Sequence, residues 1–371
     1  MWGISGSISA GAARPGKVES TTPIALVGTS DVGDAGMHLF GNADDALEYV
    51  DTATQGTLKN ALQLISDQGV SCPIILSLVV YGADVTADVV TAVDNLKSAE
   101  AEVGYRPDLI IAPEFSYDLS VAVKMDAVAS RLWSTAILDN LAENETDALA
   151  FAANFGSRFV LIYSPYVKYY DTVAAQTVNL PASPAVAGMM ARTDGEVPFG
   201  FADSVSNRVV KGITGTDRLI DYAEGVDCEA NRLRTAGVGT IIADTGWRTW
   251  GFETTDIDPI WQSLERVRTF YKALRAVINA SKWARDRRAN ELVHVRDSID
   301  QFMRELRGNN VALGFEIYFP MDKNTLATVT AGKFYLTVSW QNMPTVRELI
   351  IEMEYTDAYG EVLLNILNGG N

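Results

Sequence analysis

Between Thr22 and about residue 165, short apolar runs alternate with amphipathic segments of helical period, and this alternation restricts the fold more than any other feature. The runs are "PIALVG", "PIILSLVVYG", "DLIIAP", "AILDN" and "RFVLIYSP". Between them, "GTLKNALQLISDQG" sets Leu58, Leu62 and Ile65 at helical spacing, "ADVVTAVDNLKSAE" does the same with Val89, Val93 and Leu96, and "LSVAVKMDAVASRLWS" and "DALAFAANFG" continue the series. Strands buried on both faces appear as unbroken apolar runs, and parallel neighbours need a crossover, usually a helix. The pattern predicts an α/β domain over residues 22–195, a mostly parallel sheet covered by helices.

Ligands of such sheets bind at the carboxyl ends of the strands, so the chemistry there matters most. The first run continues into "IALVGTSDVGDAG", Ile24 to Gly36. A phosphate loop needs Gly-x4-Gly-Lys-Ser/Thr, but Asp34 follows Gly33 and Asp31 lies inside the loop, so two carboxylates would face an anion. The Gly-x-Gly-x-x-Gly dinucleotide pattern fails as well, because Gly28 and Gly33 are five apart. The segment is predicted to be a strand ending in a tight surface loop. Other strand ends carry Asp84, Glu114, Asp118 and Asp139, and a hydrolase or metal site could be assembled from the last three. Helix capping is the favoured role, because no His, Cys or Lys lies nearby to complete an acid/base or nucleophilic group. His38 and His294 are the two histidines of the chain, and each stands alone.

At 371 residues the chain is expected to form more than one domain. No apolar run reaches membrane-spanning length, and the Gly/Ser-rich N-terminus is too polar for a secretory signal, so a soluble protein made in the cytoplasm is expected. Two cysteines, Cys72 and Cys228, exclude a disulfide framework and are expected to be buried. A net charge of −17 argues against nucleic-acid binding. Basic residues nevertheless concentrate between Leu264 and Arg307, with Lys282, Arg285, Arg287 and Arg288 closest together.

Residues 1–21 lack periodicity and are expected to be an arm, with Ile4, Ile8 and Val18 as its apolar contacts. A second, α+β domain is expected over residues 196–345. It opens with turn-rich sequence, then "GVGTIIADTGWRTWGFET" suggests two short strands about Asp244, Thr245 and Gly246. Trp261, Leu264, Val267, Phe270, Leu274 and Val277, and later Ile299, Phe302, Met303 and Leu306, predict two core-facing helices. "GFEIYFP" and "KFYLTVSWQNM" predict a hairpin, and "VRELIIEMEYTD" predicts a further strand within a C-terminal arm, residues 346–371.

Four stretches then carry a resemblance: "DNLAENETDALAFAANFGSRFVLIYSP", "SPAVAGMMARTDGEVPFGFADSVSNRVVKGITGTDRLIDY", "AGVGTIIADTGWRTWG" and "RVRTFYKALRAVINASKWARDR". Their order and spacing, from about Ser134 to Glu354, resemble the contractile tail sheath family, specifically the compact sheaths of R-type pyocins and short-sheath myophages. The half before Asp139 matches by pattern more than by residue, and the N-terminal arm departs by being short. The resemblance implies a structural protein without catalysis or cofactor, driven by metastable subunit packing rather than nucleotide hydrolysis. Its partners would be further copies in stacked hexameric rings or a helix, an inner tail tube protein, and baseplate and tail terminator proteins, with neither nucleic acid nor direct membrane binding. Its place would be a virion or phage-like tail assembled in the bacterial cytoplasm.

The resemblance further implies that terminal arms of two neighbours add strands to the small C-terminal sheet of a third. The strand candidates are Phe315, Ile317, Phe319, Phe334, Leu336, Val338, Leu349, Ile351 and Met353, and the tube-contact candidates are Lys282, Arg285, Arg287 and Arg288. The competing class is an α/β hydrolase or nucleotide-binding enzyme using the strand-end carboxylates.

Overall fold

A computed structural model describes residues 21–172 and 174–369. Ile4, Ile8 and Val18 lie outside them. The strands are β1 (Ile24–Ser30), β2 (Gly36–Phe40), β3 (Ile74–Val80), β4 (Leu109–Ile111), β5 (Thr135–Asp139), β6 (Val160–Tyr163), β7 (Val167–Asp171), β8 (Gln176–Leu180), β9 (Ile213–Thr216), β10 (Val238–Ala243), β11 (Trp247–Trp250), β12 (Ala312–Tyr318) and β13 (Thr337–Asn342). The helices are α1 (Ala43–Tyr49), α2 (Leu58–Ser66), α3 (Thr86–Asn95), α4 (Ala99–Glu102), α5 (Leu119–Leu132), α6 (Glu145–Ala152), α7 (Ser183–Glu196), α8 (Glu229–Thr235), α9 (Leu264–Ser281), α10 (Leu292–Gly308), α11 (Leu326–Thr330) and α12 (Gly360–Leu367).

Eight strands form one sheet in the order β11-β10-β6-β5-β4-β1-β3-β2. The six inner strands pair in parallel, and β2 and β11 close the two edges antiparallel. Alternation along β1 shows why its sequence is apolar throughout. Ile24 and Leu26 enter the core on one face, and Ala25 and Val27 enter the core on the other. The first face is covered by α2 and α7 and the second by α3 and α5, with Leu58, Leu62 and Ile65 of α2 and Val89 and Val93 of α3 fully buried.

The sheet differs from the sequence expectation at both edges. β2 follows the Gly-rich loop directly, and its half-exposed "GMHLF" lacks the apolar run that marks the inner strands. At the other edge, the strands flanking Asp244 to Gly246 form as expected but join this sheet through β6, so the sheet crosses the boundary expected at residue 195. A separate antiparallel sheet, β8-β7-β9, had no clear counterpart in the sequence pattern because its strands are partly exposed and interrupted by polar residues.

Helix α7 was equally hard to read. Ten of its residues are buried, so "SPAVAGMMARTDGE" carries little amphipathic period. A Cβ on Gly188 would come within 2.9 Å of Gln68, so glycine there lets α7 pack closely against the end of α2.

A smaller core lies in the second half of the chain. Ile299, Phe302, Met303 and Leu306 of α10 pack with Ala273 and Ala276 of α9, and the inner face of the β12-β13 hairpin, Phe315, Ile317, Leu336, Val338 and Trp340, closes over them. The hairpin is antiparallel, as expected, with Phe315 opposite Trp340 and Ile317 opposite Val338. The further strand expected in "VRELIIEMEYTD" does not form: residues 343–356 contain neither helix nor strand. The likeness to a strand lies in its alternation, and among the described residues no neighbouring edge receives it.

Candidate functional site

Three of the strand-end carboxylates, Asp31, Asp118 and Asp139, hold local structure, and Asp84 is exposed. Asp118 is the N-cap of α5 and accepts from the Ser120 N–H at 2.8 Å. Asp31 accepts from the Thr54 N–H at 3.1 Å and from its hydroxyl at 2.7 Å, tying the loop after β1 to the segment before α2. Gly28 lies inside β1, where a Cβ would meet the Thr57 hydroxyl at 2.5 Å, and Gly33, at φ 95°, supplies the turn into β2. The glycines serve close packing and a turn.

Asp139 is fully buried and accepts from the Ser183 N–H at 2.8 Å, the Ser183 hydroxyl at 2.6 Å and the Ser116 hydroxyl at 3.1 Å. Burial pushes its pKa up to about 6, and these hydrogen bonds to the charged form oppose the rise. A carboxylate at the N-terminus of α7 satisfies a free N–H and complements the helix dipole. Glu114 is exposed, with a left-handed backbone at φ 66°. Among the described residues no three His, Cys, Asp or Glu side chains are grouped to hold a metal ion.

The basic stretch divides into two parts with different surroundings. On α9, Arg268, Lys272 and Arg275 are buried. Lys272 reaches Asp108 at 2.5 Å, Arg275 reaches the same carboxylate at 2.7 Å, and Arg268 donates to both oxygens of Asp194. This corrects the expected core face of α9. Leu264 and Val267 are buried, Trp261, Phe270 and Val277 are half-buried, and Leu274 is exposed, because ion pairs to the α/β body take the inner positions of the helix's second half. Burial would raise the pKa of Asp108, but Lys272 and Arg275 outweigh it and hold the carboxyl at about 2.

Asp108→Ala strands two buried cations and is expected to cost about 3–5 kcal/mol. The sign of the pH dependence follows from the depressed pKa. The contribution of Asp108 is present above its ordinary value of 3.8 and is lost as pH falls through about 2. Urea unfolding at neutral pH checks the cost, and a midpoint like that of the parent chain contradicts it.

Lys282, Arg285, Arg287 and Arg288 lie instead on the turn between α9 and α10, and all four are exposed. They rim a groove of about 920 Å³ whose apolar lining includes Leu274, Ile278, Val295, Phe319, Phe334 and Leu336. The turn thus presents concentrated positive charge on an acidic chain. Phe319, Phe334 and Leu336 stand just outside β12 and β13, in this lining rather than in the strands.

Beside this groove the hairpin is a two-stranded sheet, so among the described residues each strand keeps one edge without a backbone partner. The C-terminal segment has the complementary character. Leu349, Ile351, Met353 and Tyr355 alternate with Glu348, Ile350, Glu352 and Glu354, giving one apolar face and one mainly acidic face at period two. All of these residues are exposed, Met353 at 93% and Tyr355 at 90%. Helix α12 continues the exposed apolar character with Val362, Leu363, Leu364, Ile366 and Leu367. Sequence reasoning located the strand-like segment but missed α12, for which "GEVLLNIL" was the available signal.

No protein-family model matches the chain. The sequence is 33% identical over 279 residues to a prophage major tail sheath protein of Pseudomonas aeruginosa, across 74% of this chain and 72% of that protein. It is 26% identical over 338 residues to the tail sheath protein of Escherichia phage P2, across 85% and 84% of the two chains. The structure is similar to that of the contracted helical sheath of the anti-feeding prophage. The TM-score is 0.75 at 19% identity, covering 95% of this chain and 99% of the other, a likeness of fold.

Proposed function

This chain belongs to the contractile tail sheath family, a structural subunit rather than an enzyme, and from that premise we propose how it assembles. Copies polymerise as stacked hexameric rings or a helix around an inner tail tube protein, between a baseplate and a tail terminator. The polymer belongs to a virion or phage-like tail and is built in the bacterial cytoplasm. Residues 1–21 and 346–371 act as arms, and the body between them moves as a unit. On contraction the lattice passes from a metastable extended packing to a more stable compact one, and new subunit interfaces supply the free energy without nucleotide hydrolysis.

The observation that carries the proposal is the pairing of an open hairpin with an exposed, strand-patterned arm in the same chain. An arm from one subunit adds to the hairpin edge of another, with Leu349, Ile351 and Met353 turned toward the receiving subunit. Phe315, Ile317, Leu336 and Val338 hold that hairpin on its own α10 core. Main-chain hydrogen bonds give such strand addition its affinity, at about 0.5–1.5 kcal/mol net for each bond. One arm is therefore a modest tether, and repetition through a lattice makes it strong. The arm also leaves each body free to rotate while remaining connected.

The exposed cations Lys282, Arg285, Arg287 and Arg288 grip an acidic tube surface. Single exposed ion pairs are worth about 0–1 kcal/mol each, so the grip depends on number and releases readily. Electron microscopy of the purified chain, with and without a cognate tube and in nucleotide-free buffer, tests the proposal. Hollow striated cylinders are expected with tube present. Monodisperse particles under both conditions contradict it.

A further inference from the structure

Resting on the arm exchange proposed above, we infer that α12 of one subunit docks in the groove between α9, α10 and the hairpin of another copy. An eight-residue helix is below the roughly 12–15 residues needed for marginal stability alone in water, so α12 requires a covering surface. None of its residues is buried, and its five large apolar side chains are between 53% and 71% exposed.

The groove is of the same order of size and matches it in chemistry. A helix of eight residues, taken as a cylinder about 12 Å long and 10 Å across, occupies roughly 900 Å³. The groove offers about 920 Å³, with Leu274 and Ile278 of α9, Val295 and Ile299 of α10, and Leu336 and Val338 of the hairpin in its apolar lining.

Charge points the same way. From Val346 to Leu367 the arm carries Glu348, Glu352, Glu354, Asp357 and Glu361 against Arg347, a net of 1 − 5 = −4. The groove rim carries Lys282, Arg285, Arg287 and Arg288 against Asp286 and Glu291, a net of 4 − 2 = +2.

Reach permits a second copy, and no residue of α12 is buried against its own subunit. Seventeen residues, 343–359, separate the end of β13 from the start of α12. Fully extended they span at most about 55–60 Å, enough to carry α12 to a neighbouring body. The arm strand and α12 then form one continuous contact, the strand on the hairpin edge and the helix in the groove beside it.

The rim cations enter both tube binding and this docking, so the decisive substitutions are in the apolar parts. One chain carries Ile278→Cys, the other Leu364→Cys, and a short bismaleimide joins thiols that approach closely. Both positions are partly exposed, whereas the natural Cys72 and Cys228 are 4% and 2% exposed. Assembled mixed tubes are expected to give a cross-linked dimer that neither chain gives alone. Leu274→Cys in place of Ile278→Cys provides a second pairing if the first chain fails to fold.

Tubes without a cross-link from either pairing overturn groove docking while leaving the sheath assembly intact. An intramolecular cross-link in a dilute, unassembled chain carrying both substitutions overturns it in favour of the subunit's own α12. Folded chains that form no tubes with cognate tube present overturn the assembly proposal and this inference together.

Discussion

Deletion of residues 346–371 is expected to give a folded subunit that no longer forms ordered tubes. Among the described residues of this segment, Val346, Leu349, Ile350, Ile351, Met353 and Tyr355 are each at least 73% exposed, so the body does not depend on them for its core. The segment's ion pair to the body, Arg347 with Glu253 at 3.6 Å, involves a half-exposed arginine, and Glu253 keeps its pair with Arg234, so the loss is expected to be at most about 1 kcal/mol. Thermal unfolding is therefore expected to shift by no more than a few degrees, while electron microscopy changes from striated cylinders to dispersed particles. The same loss of order is expected on removal of residues 1–20, for which the sequence supplies the argument. Ordered tubes from the chain truncated at residue 345 would show that body contacts alone sustain the lattice.

Replacing Lys282, Arg285, Arg287 and Arg288 together by Glu is expected to abolish decoration of the tube and leave the subunit folded. The four side chains go from 4 × (+1) = +4 to 4 × (−1) = −4, a reversal on an exposed turn rather than in the core. Screening gives a second signature. At about 0.1 M ionic strength exposed charges interact over about 10 Å, and at about 1 M over about 3 Å, so binding by the parent chain also weakens with salt. Co-sedimentation with purified tube across that range measures both effects. Undiminished decoration by the substituted chain, or salt-independent binding by the parent, removes these residues from the grip.

The contrast between this exposed turn and the buried part of α9 shows what the sequence could and could not express. Both belong to one basic stretch, yet Arg268, Lys272 and Arg275 point inward because Asp194 and Asp108 await them from positions 74 and more than 160 residues away. Linear spacing cannot display such partners. It did display the central strands, since β1, β3 and β5 are apolar on both faces, and it displayed α2 and α3 through their periodic buried residues. Edge strand β2 and the β7-β8-β9 sheet escaped notice because partial exposure removes the apolar run.

The candidate site was legible to a similar degree. The failed phosphate loop and the capping role of Asp118 followed from residue chemistry, and the structure gives Asp139 an equivalent role across a distance of 44 residues. The alternation of Leu349, Ile351 and Met353 announced a strand. Its partner edge could not be inferred within one subunit, because that segment pairs with no strand among the described residues.

The most direct measurement is a cryo-electron microscopy reconstruction of the assembled polymer at a resolution that traces main chain between subunits. The exchanged-arm account predicts residues 346–355 of one subunit lying as a strand along β12 or β13 of another, with their backbone groups paired across the interface. An ordered polymer in which every such segment folds back onto its own subunit would contradict it.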